Sequence, residues 1–380
     1  MKLAFCLFKY FPYGGLQRDF LRIARACRER GHEIHVYTMN WEGEREPGFT
    51  IHLIEASGLQ NHARSHSFAK KVKSKLKAGQ YDLVIGFNKM PNLDMYYAAD
   101  VCYQTRVRQQ RGFFYRCLPR YHQWVALEKA VFDHRAKTEI MLISPLQQKE
   151  YTSCYETSSE RFHLLAPGIK QTTIPQEKAL AIRETVRHSL NIPSDHFLLL
   201  MVGSGFKTKG LDRAMRGLSS LPAALKERCH FYVIGQDRPT AFIKLAEHLK
   251  LNDRLHFLGG RDDVPHFMLA GDLLLHPAYH ENTGTVLLEA MIHGLPVLTV
   301  DVCGYAHYVS DTHAGLVLPS PFSQSEFNAA LQKMLLSEEK IAWRQNGLAF
   351  AKHADIYSLP EKATDLIEQV GHKRDIISAR

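Results

Sequence analysis

At 380 residues the chain exceeds what one ordinary hydrophobic core organises, so two domains are expected. Its 45% apolar and 23% charged residues are those of a globular protein and exclude a disordered or fibrous chain. The net charge of +9 is uneven: residues 1–165 hold 25 Lys/Arg against 16 Asp/Glu, while residues 166–380 hold 23 of each, so an anionic partner should meet the first half.

The opening "MKLAFCLFKYF" is not read as a signal peptide, because its apolar run, Leu3 to Phe8, stops at Lys9 and no small-residue cleavage site follows. No uncharged apolar run approaches the length of a membrane-spanning helix. The seven cysteines are scattered, odd in number and lack a C-x-x-C, which argues against a disulfide framework or zinc site and for a reducing compartment.

Along the first half, strand and helix alternate. "KLAFCLF" reads as a buried strand, and "GLQRDFLRIARACRERG" as a helix with Leu16, Phe20, Ile23, Ala24 and Cys27 on one face. "HEIHVYTM", "IHLIEA", "YDLVIGF" and "TEIMLIS" are further strands, with the helix-like "SFAKKVKSKLK" after the second of these. The polar stretch from Leu164 to Lys178, broken by two prolines and a glycine, is the expected linker. Beyond it "FLLLMVG", "HFYVIGQ", "RLHFLGG", "DLLLHPA" and "LPVLTV" repeat the pattern. Such alternation implies two doubly wound parallel sheets facing each other across a ligand-binding cleft. The expected units are an N-terminal domain over 1–166, a C-terminal domain over 167–355, and a terminal helix over 356–380 packing back on the first.

Three strand-to-helix loops could carry chemistry. In "AYHENTGTVLLEAMIHGLPVL", Glu281 falls in the loop after a strand, and Asn282 or Thr283 can cap the helix that follows. Gly284 and Thr285 open that helix, whose free N–H groups and dipole favour a phosphate. Glu289 lies about one and a half turns further on, so two carboxylates flank a phosphate site, as a nucleotide sugar would need. A capped surface helix with two solvated glutamates is the alternative. The loop "MVGSGFKTKGLDRAM" fails the Walker A motif, with Leu211 and Asp212 where Lys and Ser/Thr are required. It also fails the dinucleotide fingerprint, whose third glycine position is Thr208. What remains is the pair Lys207 and Lys209, either of which could neutralise a leaving diphosphate or be a solvated charge. In "KYFPYGGLQRDF", Gly14 and Gly15 open a helix with Asp19 one turn in. The sequence has no D-x-D, so no metal-bound diphosphate of that type is expected.

Between Asp100 and Glu128 no acidic residue occurs. Arg106, Arg108, Arg111, Arg116 and Arg120 are interleaved with Tyr103, Phe113, Phe114, Tyr115, Tyr121 and Trp124. Guanidinium groups for headgroups and rings for the interface suit an anionic membrane surface. A basic helix with its aromatics in the core, or a nucleic-acid face, are the alternatives.

Taken together, "HPAYHENTGTVLLEAMIHGLPVLTVDVCG" and the junction "SPLQQKEY…RFHLLAPGI" resemble the retaining nucleotide-sugar glycosyltransferases of the GT-B fold, family four. "FKYFPYGGLQRDFLRIA", "GFNKMPNLDMYYAADVCY" and "VCGYAHY" are similar to the lipopolysaccharide core glucosyltransferases of Gram-negative bacteria. The resemblance implies transfer of glucose from UDP-glucose to a phosphorylated, heptose-containing lipopolysaccharide core, with retention and with neither cofactor nor metal. It implies a cytoplasmic enzyme, peripheral on the anionic cytoplasmic face of the inner membrane, with no nucleic-acid partner. It assigns Glu289 to the ribose, and Glu281 to the sugar hydroxyls. Thr283, Gly284 and Thr285 fall at the diphosphate, with Asn282 beside them in the nucleotide-sugar site, Lys209 and Gly15 at the phosphates, and Arg261 near the base. Asp19 and Asp100 face donor sugar and acceptor, with Glu281, Lys209 and Asp100 as the catalytic set. Where relatives commonly carry Arg this chain has Ser204, and its junction reads "PGIKQTT", so fewer cations should meet the diphosphate. Rival readings are a nucleotide-sugar epimerase or another UDP-sugar transferase, a nicotinamide oxidoreductase, and a non-enzymatic peripheral membrane protein.

Overall fold

In the computed structural model, residues 1–12, 14–76, 79–172 and 174–378 are described. The chain forms two compact units, one of residues 1–168 with 357–380, the other of residues 169–356. The divisions thus fall one or two residues beyond those read from the sequence. The C-terminal helix Leu359–Ser378 belongs to the first unit, where it packs on the helix Gly15–Glu29.

In the first unit the strands are β1 (Lys2–Cys6), β2 (Lys9–Tyr10), β3 (Glu33–Thr38), β4 (Asn40–Trp41), β5 (Phe49–Leu53), β6 (Leu83–Gly86), β7 (Met95–Ala98), β8 (Glu139–Leu142) and β9 (Phe162–Leu164). Seven of them make one parallel sheet in the order β5-β3-β1-β6-β7-β8-β9, and β2 pairs with β4. Alternation along β1 sends Leu3 and Phe5 to one face and Ala4 and Cys6 to the other, and each face has its own core. Leu3 and Phe5 join Phe20, Ile23, Leu359 and Ile367 from the covering helices. Ala4 and Cys6 join Phe68, Tyr96, Leu127, Phe132 and Tyr151. Strands buried on both sides must be apolar throughout, which is why "KLAFC" shows no polar alternation.

The second unit holds β10 (Phe197–Val202), β11 (Cys229–Ile234), β12 (Leu255–Gly259), β13 (Leu273–His276), β14 (Val297–Val300) and β15 (Gly315–Leu318), in the parallel order β12-β11-β10-β13-β14-β15. One face packs Leu199, Met201, Phe231 and Leu275 against Leu211, Met215, Phe327 and Leu331. In both sheets the strand sequence runs outward one way, then restarts on the other side of the first strand. The reversal lies between β1 and β6 in one sheet and between β10 and β13 in the other. The fold is two Rossmann-like, doubly wound parallel sheets. Among the described residues no helix is long and apolar enough to cross a membrane.

Candidate active site

Two loops leave the carboxyl ends of β10 and β13, the hydrogen-bonded neighbours at the reversal of the second sheet. Connections diverge at such a point and open a crevice outside the strand ends, where sheets of this kind take ligands. The loop after β10 carries Lys209 into the helix Leu211–Ser219, and the loop after β13 carries Glu281 to the helix Thr285–Ile292. The Tyr279 N–H donates to the Thr208 carbonyl at 2.8 Å, tying one loop to the other. Arg213 donates to the carbonyls of Pro277 and Ala278 at 3.1 and 2.8 Å and lies 3.7 Å from the centre of the Tyr279 ring. Gly210 permits this approach: its φ is +80°, and a Cβ there would stand 1.9 Å from the Pro277 carbonyl oxygen.

Lys209 is thereby brought onto Glu281, and its ammonium donates to the carboxylate. The two side chains are only 20% and 14% exposed. Burial pushes the Lys209 ammonium below its ordinary range, against a weaker opposing influence from Cys303. Lys207 stays outside, paired with Asp212 at 2.7 Å and with its Nζ 3.1 Å from the Tyr279 hydroxyl. The lysine pair is therefore split: one member is a surface ion pair, the other enters the crevice.

Glu281 is braced from a third direction. Its carbonyl accepts from the Gly304 N–H at 3.3 Å, and the Thr283 carbonyl accepts from Tyr305 at 2.7 Å, so the "VCGY" segment after β14 holds the turn. Behind Glu281, at the end of β13, lies His276. It is fully buried, and its Nε2 is 3.6 Å from the Glu281 carboxylate, too far for a hydrogen bond. Neither ring nitrogen has a hydrogen-bond partner among the described residues, and burial keeps the imidazole neutral, its pKa lowered to about 3.

The cap of the next helix differs from expectation. Neither Asn282 nor Thr283 caps it: Gly284 is the N-cap residue, in a left-handed conformation at φ +81°, and no side chain accepts from the first turn. Asn282 is buried and the Thr283 carbonyl is engaged by Tyr305, so the chain reverses through Gly284 instead. Without a side-chain cap the helix dipole meets the crevice uncovered. Val286, Leu287, Leu288, Ala290, Met291 and Ile292 are buried, while Thr285 and Glu289 are half-buried. Four residues apart, those two share the one accessible face, which places Glu289 one turn behind the helix start. Arg261, after β12, makes a bidentate pair with Asp263 at 2.7 Å for both contacts, its guanidinium 4.8 Å from the Phe267 ring centre.

In the first unit, the loops after β1 and β6 also meet at the reversal, through a 2.7 Å bond from the Phe8 N–H to Asn88 Oδ1. Gly15 begins the helix Gly15–Glu29, and a Cβ added to it would meet nothing within 4 Å. Asp19, one turn in, accepts from the Tyr97 hydroxyl at 2.9 Å. Burial pushes its carboxyl up, against the opposing influence of Arg18, Tyr97 and Arg22. Asp100 is exposed just beyond β7, and its carbonyl accepts from the Tyr151 hydroxyl at 2.8 Å.

The basic segment forms the helix Tyr103–Gln110, a tight turn over Phe113–Cys117, and the helix Pro119–Phe132. Arg106, Arg108, Arg111 and Arg120 are exposed, and Phe113 and Phe114 project at the turn, 72% and 85% exposed. Trp124 and Arg116 depart from the surface role read for them: both are half-buried, and the Trp124 ring packs against the second core. The carboxylate of Glu128 anchors the segment. Fully buried, it accepts from Lys89 at 2.5 Å, from the Tyr155 hydroxyl at 2.6 Å, and from the N–H groups of Tyr103 and Gln104 at 2.8 and 3.1 Å. It thus caps the helix Tyr103–Gln110 from a distant part of the chain.

Residues 182–350 match the family described as Glycosyl transferases group 1, and residues 13–171 match Glycosyltransferase Family 4. Over 368 residues the chain is 46% identical to the lipopolysaccharide glucosyltransferase WaaG of Escherichia coli K12, covering 97% of this chain and 98% of that one. It belongs to the WaaG family of lipopolysaccharide glycosyltransferases. A crystal structure of WaaG superposes with a TM-score of 0.90 at 45% identity, covering 96% of this chain and 99% of the other. Anabaena HepE, crystallised with UDP-glucose, shares the fold at a TM-score of 0.71 and 19% identity, over 97% of this chain and all of HepE. The architecture is therefore GT-B. For this WaaG-family chain the sequence reading had placed Lys209 and Glu281 in one site but overlooked His276. A lone polar residue closing the apolar run "DLLLH" was its only signal.

Proposed function

We propose that this WaaG-family enzyme transfers glucose from UDP-glucose to a heptose of the lipopolysaccharide inner core, with retention of anomeric configuration. The observation that carries the reading is the meeting of Lys209, Glu281 and an uncapped helix start at the β10–β13 reversal. Such a site offers a cation and free amides to a diphosphate, with a carboxylate beside them for hydroxyls.

In this scheme Glu289 binds the ribose and Arg261 lies by the base. Thr283, Gly284 and Thr285 contact the diphosphate, Asn282 lies beside them in the nucleotide-sugar site, and Glu281 holds the sugar hydroxyls. Lys209 leaves Glu281 for the diphosphate as the donor enters. Gly15 adds its amide to the phosphates, while Asp19 and Asp100 meet the sugar and acceptor. The acceptor oxygen attacks the anomeric carbon on the face of the leaving group. As the bond to the diphosphate breaks, the acceptor proton passes to a phosphate oxygen, giving UDP and the glucosylated core. Preorganised positive charge from Lys209 and the helix terminus lowers the barrier to that departure. No step draws on a metal or cofactor.

The exposed Arg106, Arg108, Arg111 and Arg120, with Phe113 and Phe114 at the turn, support docking on the anionic cytoplasmic face of the inner membrane. A thermal-shift panel of UDP-, GDP- and ADP-sugars tests the donor: a ligand at 100 times its Kd adds about 2.7 kcal/mol. UDP-glucose should stabilise most, and an equal or larger response to GDP- or ADP-glucose would overturn the assignment.

A further inference from the structure

We propose that His276 is a positioning residue, whose Nε2–H takes over as the partner of the Glu281 carboxylate when Lys209 turns to the donor diphosphate. The inference rests on the reading of Lys209 and Glu281 as donor-site residues.

A charge cannot be in two places. In the structure Lys209 is committed to Glu281, so recruiting it to a phosphate strips Glu281 of its counter-charge. Glu281 is only 14% exposed and water cannot fully replace the lost partner. A bare carboxylate in such surroundings would be drawn to protonate or rotate, and either response would spoil its geometry toward sugar hydroxyls. A group placed to answer is His276, 3.6 Å away through Nε2. A shift of roughly 0.6 Å would bring that separation to ordinary hydrogen-bond length.

Two further features suit His276 to this task. Both of its ring nitrogens are buried without partners among the described residues, a costly arrangement in which native proteins rarely leave a polar side chain. A partner present only in the donor complex accounts for that cost. The imidazole is also neutral, with its pKa lowered to about 3, so it supplies a hydrogen bond without a second positive charge that would compete with Lys209. Its place is fixed by backbone: the His276 carbonyl accepts from the Thr299 hydroxyl at 3.0 Å and from the Ala278 N–H at 2.9 Å, anchoring the ring at the end of β13.

The test compares His276→Phe, which keeps a flat ring and loses the donor, with His276→Gln, whose amide nitrogen reaches a similar point. Calorimetry gives the Kd for UDP, and UDP release gives kcat/KM for UDP-glucose. For His276→Phe we expect UDP affinity within about twofold of wild type and kcat/KM lower by about 10- to 100-fold. His276→Gln should recover most of that loss. The Tm of His276→Phe should equal or exceed that of wild type, since two orphaned nitrogens are gone. Unchanged turnover in His276→Phe would overturn the proposal. So would parallel losses of UDP affinity, turnover and Tm in both variants, which would make His276 structural. If wild-type protein binds UDP but turns over no UDP-glucose, the donor reading falls first and this inference falls with it.

Discussion

The ion pair between Lys209 and Glu281 makes a prediction in which stability and activity part company. A buried pair broken from one side leaves an uncompensated charge and costs about 3–5 kcal/mol when burial is complete. With the two side chains 20% and 14% exposed, some water reaches the survivor, so about 2–4 kcal/mol is expected for Lys209→Met or Glu281→Leu alone. The unit concerned spans residues 169–356. In a domain of that size each kcal/mol moves Tm by about 2–4 °C, so a loss near 3 kcal/mol lowers it by about 6–12 °C. The double variant Lys209→Met/Glu281→Leu replaces both charges with apolar groups and should cost only about 1 kcal/mol, a coupling of about 5 kcal/mol against two single losses of about 3. Turnover of UDP-glucose should nonetheless stay at least about 100-fold down in all three variants. Thermal melts followed by tryptophan fluorescence and circular dichroism, alongside UDP-release assays, measure both quantities. Additive losses in the double variant would refute the pair, because independent charges do not rescue one another.

Glu289→Ala should weaken UDP binding by about 10- to 100-fold through lost charge-assisted hydrogen bonds to the ribose, and unchanged affinity by calorimetry would count against that assignment. Glu128 makes a pH prediction. Burial alone would raise its carboxyl, but Lys89 and the surrounding donors prevail and hold it below its ordinary range. Its contribution to stability should therefore be complete above its unfolded value of about 4.3 and vanish as pH falls through the lower folded value. The Tm difference between wild type and Glu128→Gln should accordingly be large at neutral pH and shrink in acid; a difference independent of pH would contradict this. Replacing Arg106, Arg108 and Arg111 with Ser should sharply reduce sedimentation with anionic vesicles at low salt, since each surface Arg contributes about 1 kcal/mol near such a bilayer. Equal binding by the triple variant would withdraw the membrane role of the segment.

Much of the fold was legible because buried parallel strands are apolar throughout and amphipathic helices separate them. The strands β7, β9 and β15 escaped notice for a physical reason. "MYYA", "FHL" and "GLVL" do not stand out as apolar runs of their own, and pairing with neighbours in the sheet defines them. Strand order was equally hidden, yet it brings the Lys209 and Glu281 loops together from positions 72 residues apart. The cap of the helix Thr285–Ile292 was misread because Asn is intrinsically a better cap than glycine and Thr at least its equal. The close turn through Gly284, pinned by Tyr305, decided otherwise. The basic segment could be read only as a composition. Folding divides its aromatics, sending Trp124 to the core and Phe113 and Phe114 outward, a division set by packing.

The most direct test of the central claim is transfer itself, followed by NMR. The enzyme is incubated with UDP-glucose and a lipopolysaccharide core truncated at its heptoses, with EDTA present throughout. The account predicts one glucose added per acceptor, at a heptose hydroxyl, in the same anomeric configuration as the donor. An inverted linkage, or failure to add glucose while another nucleotide sugar is transferred under the same conditions, would contradict it.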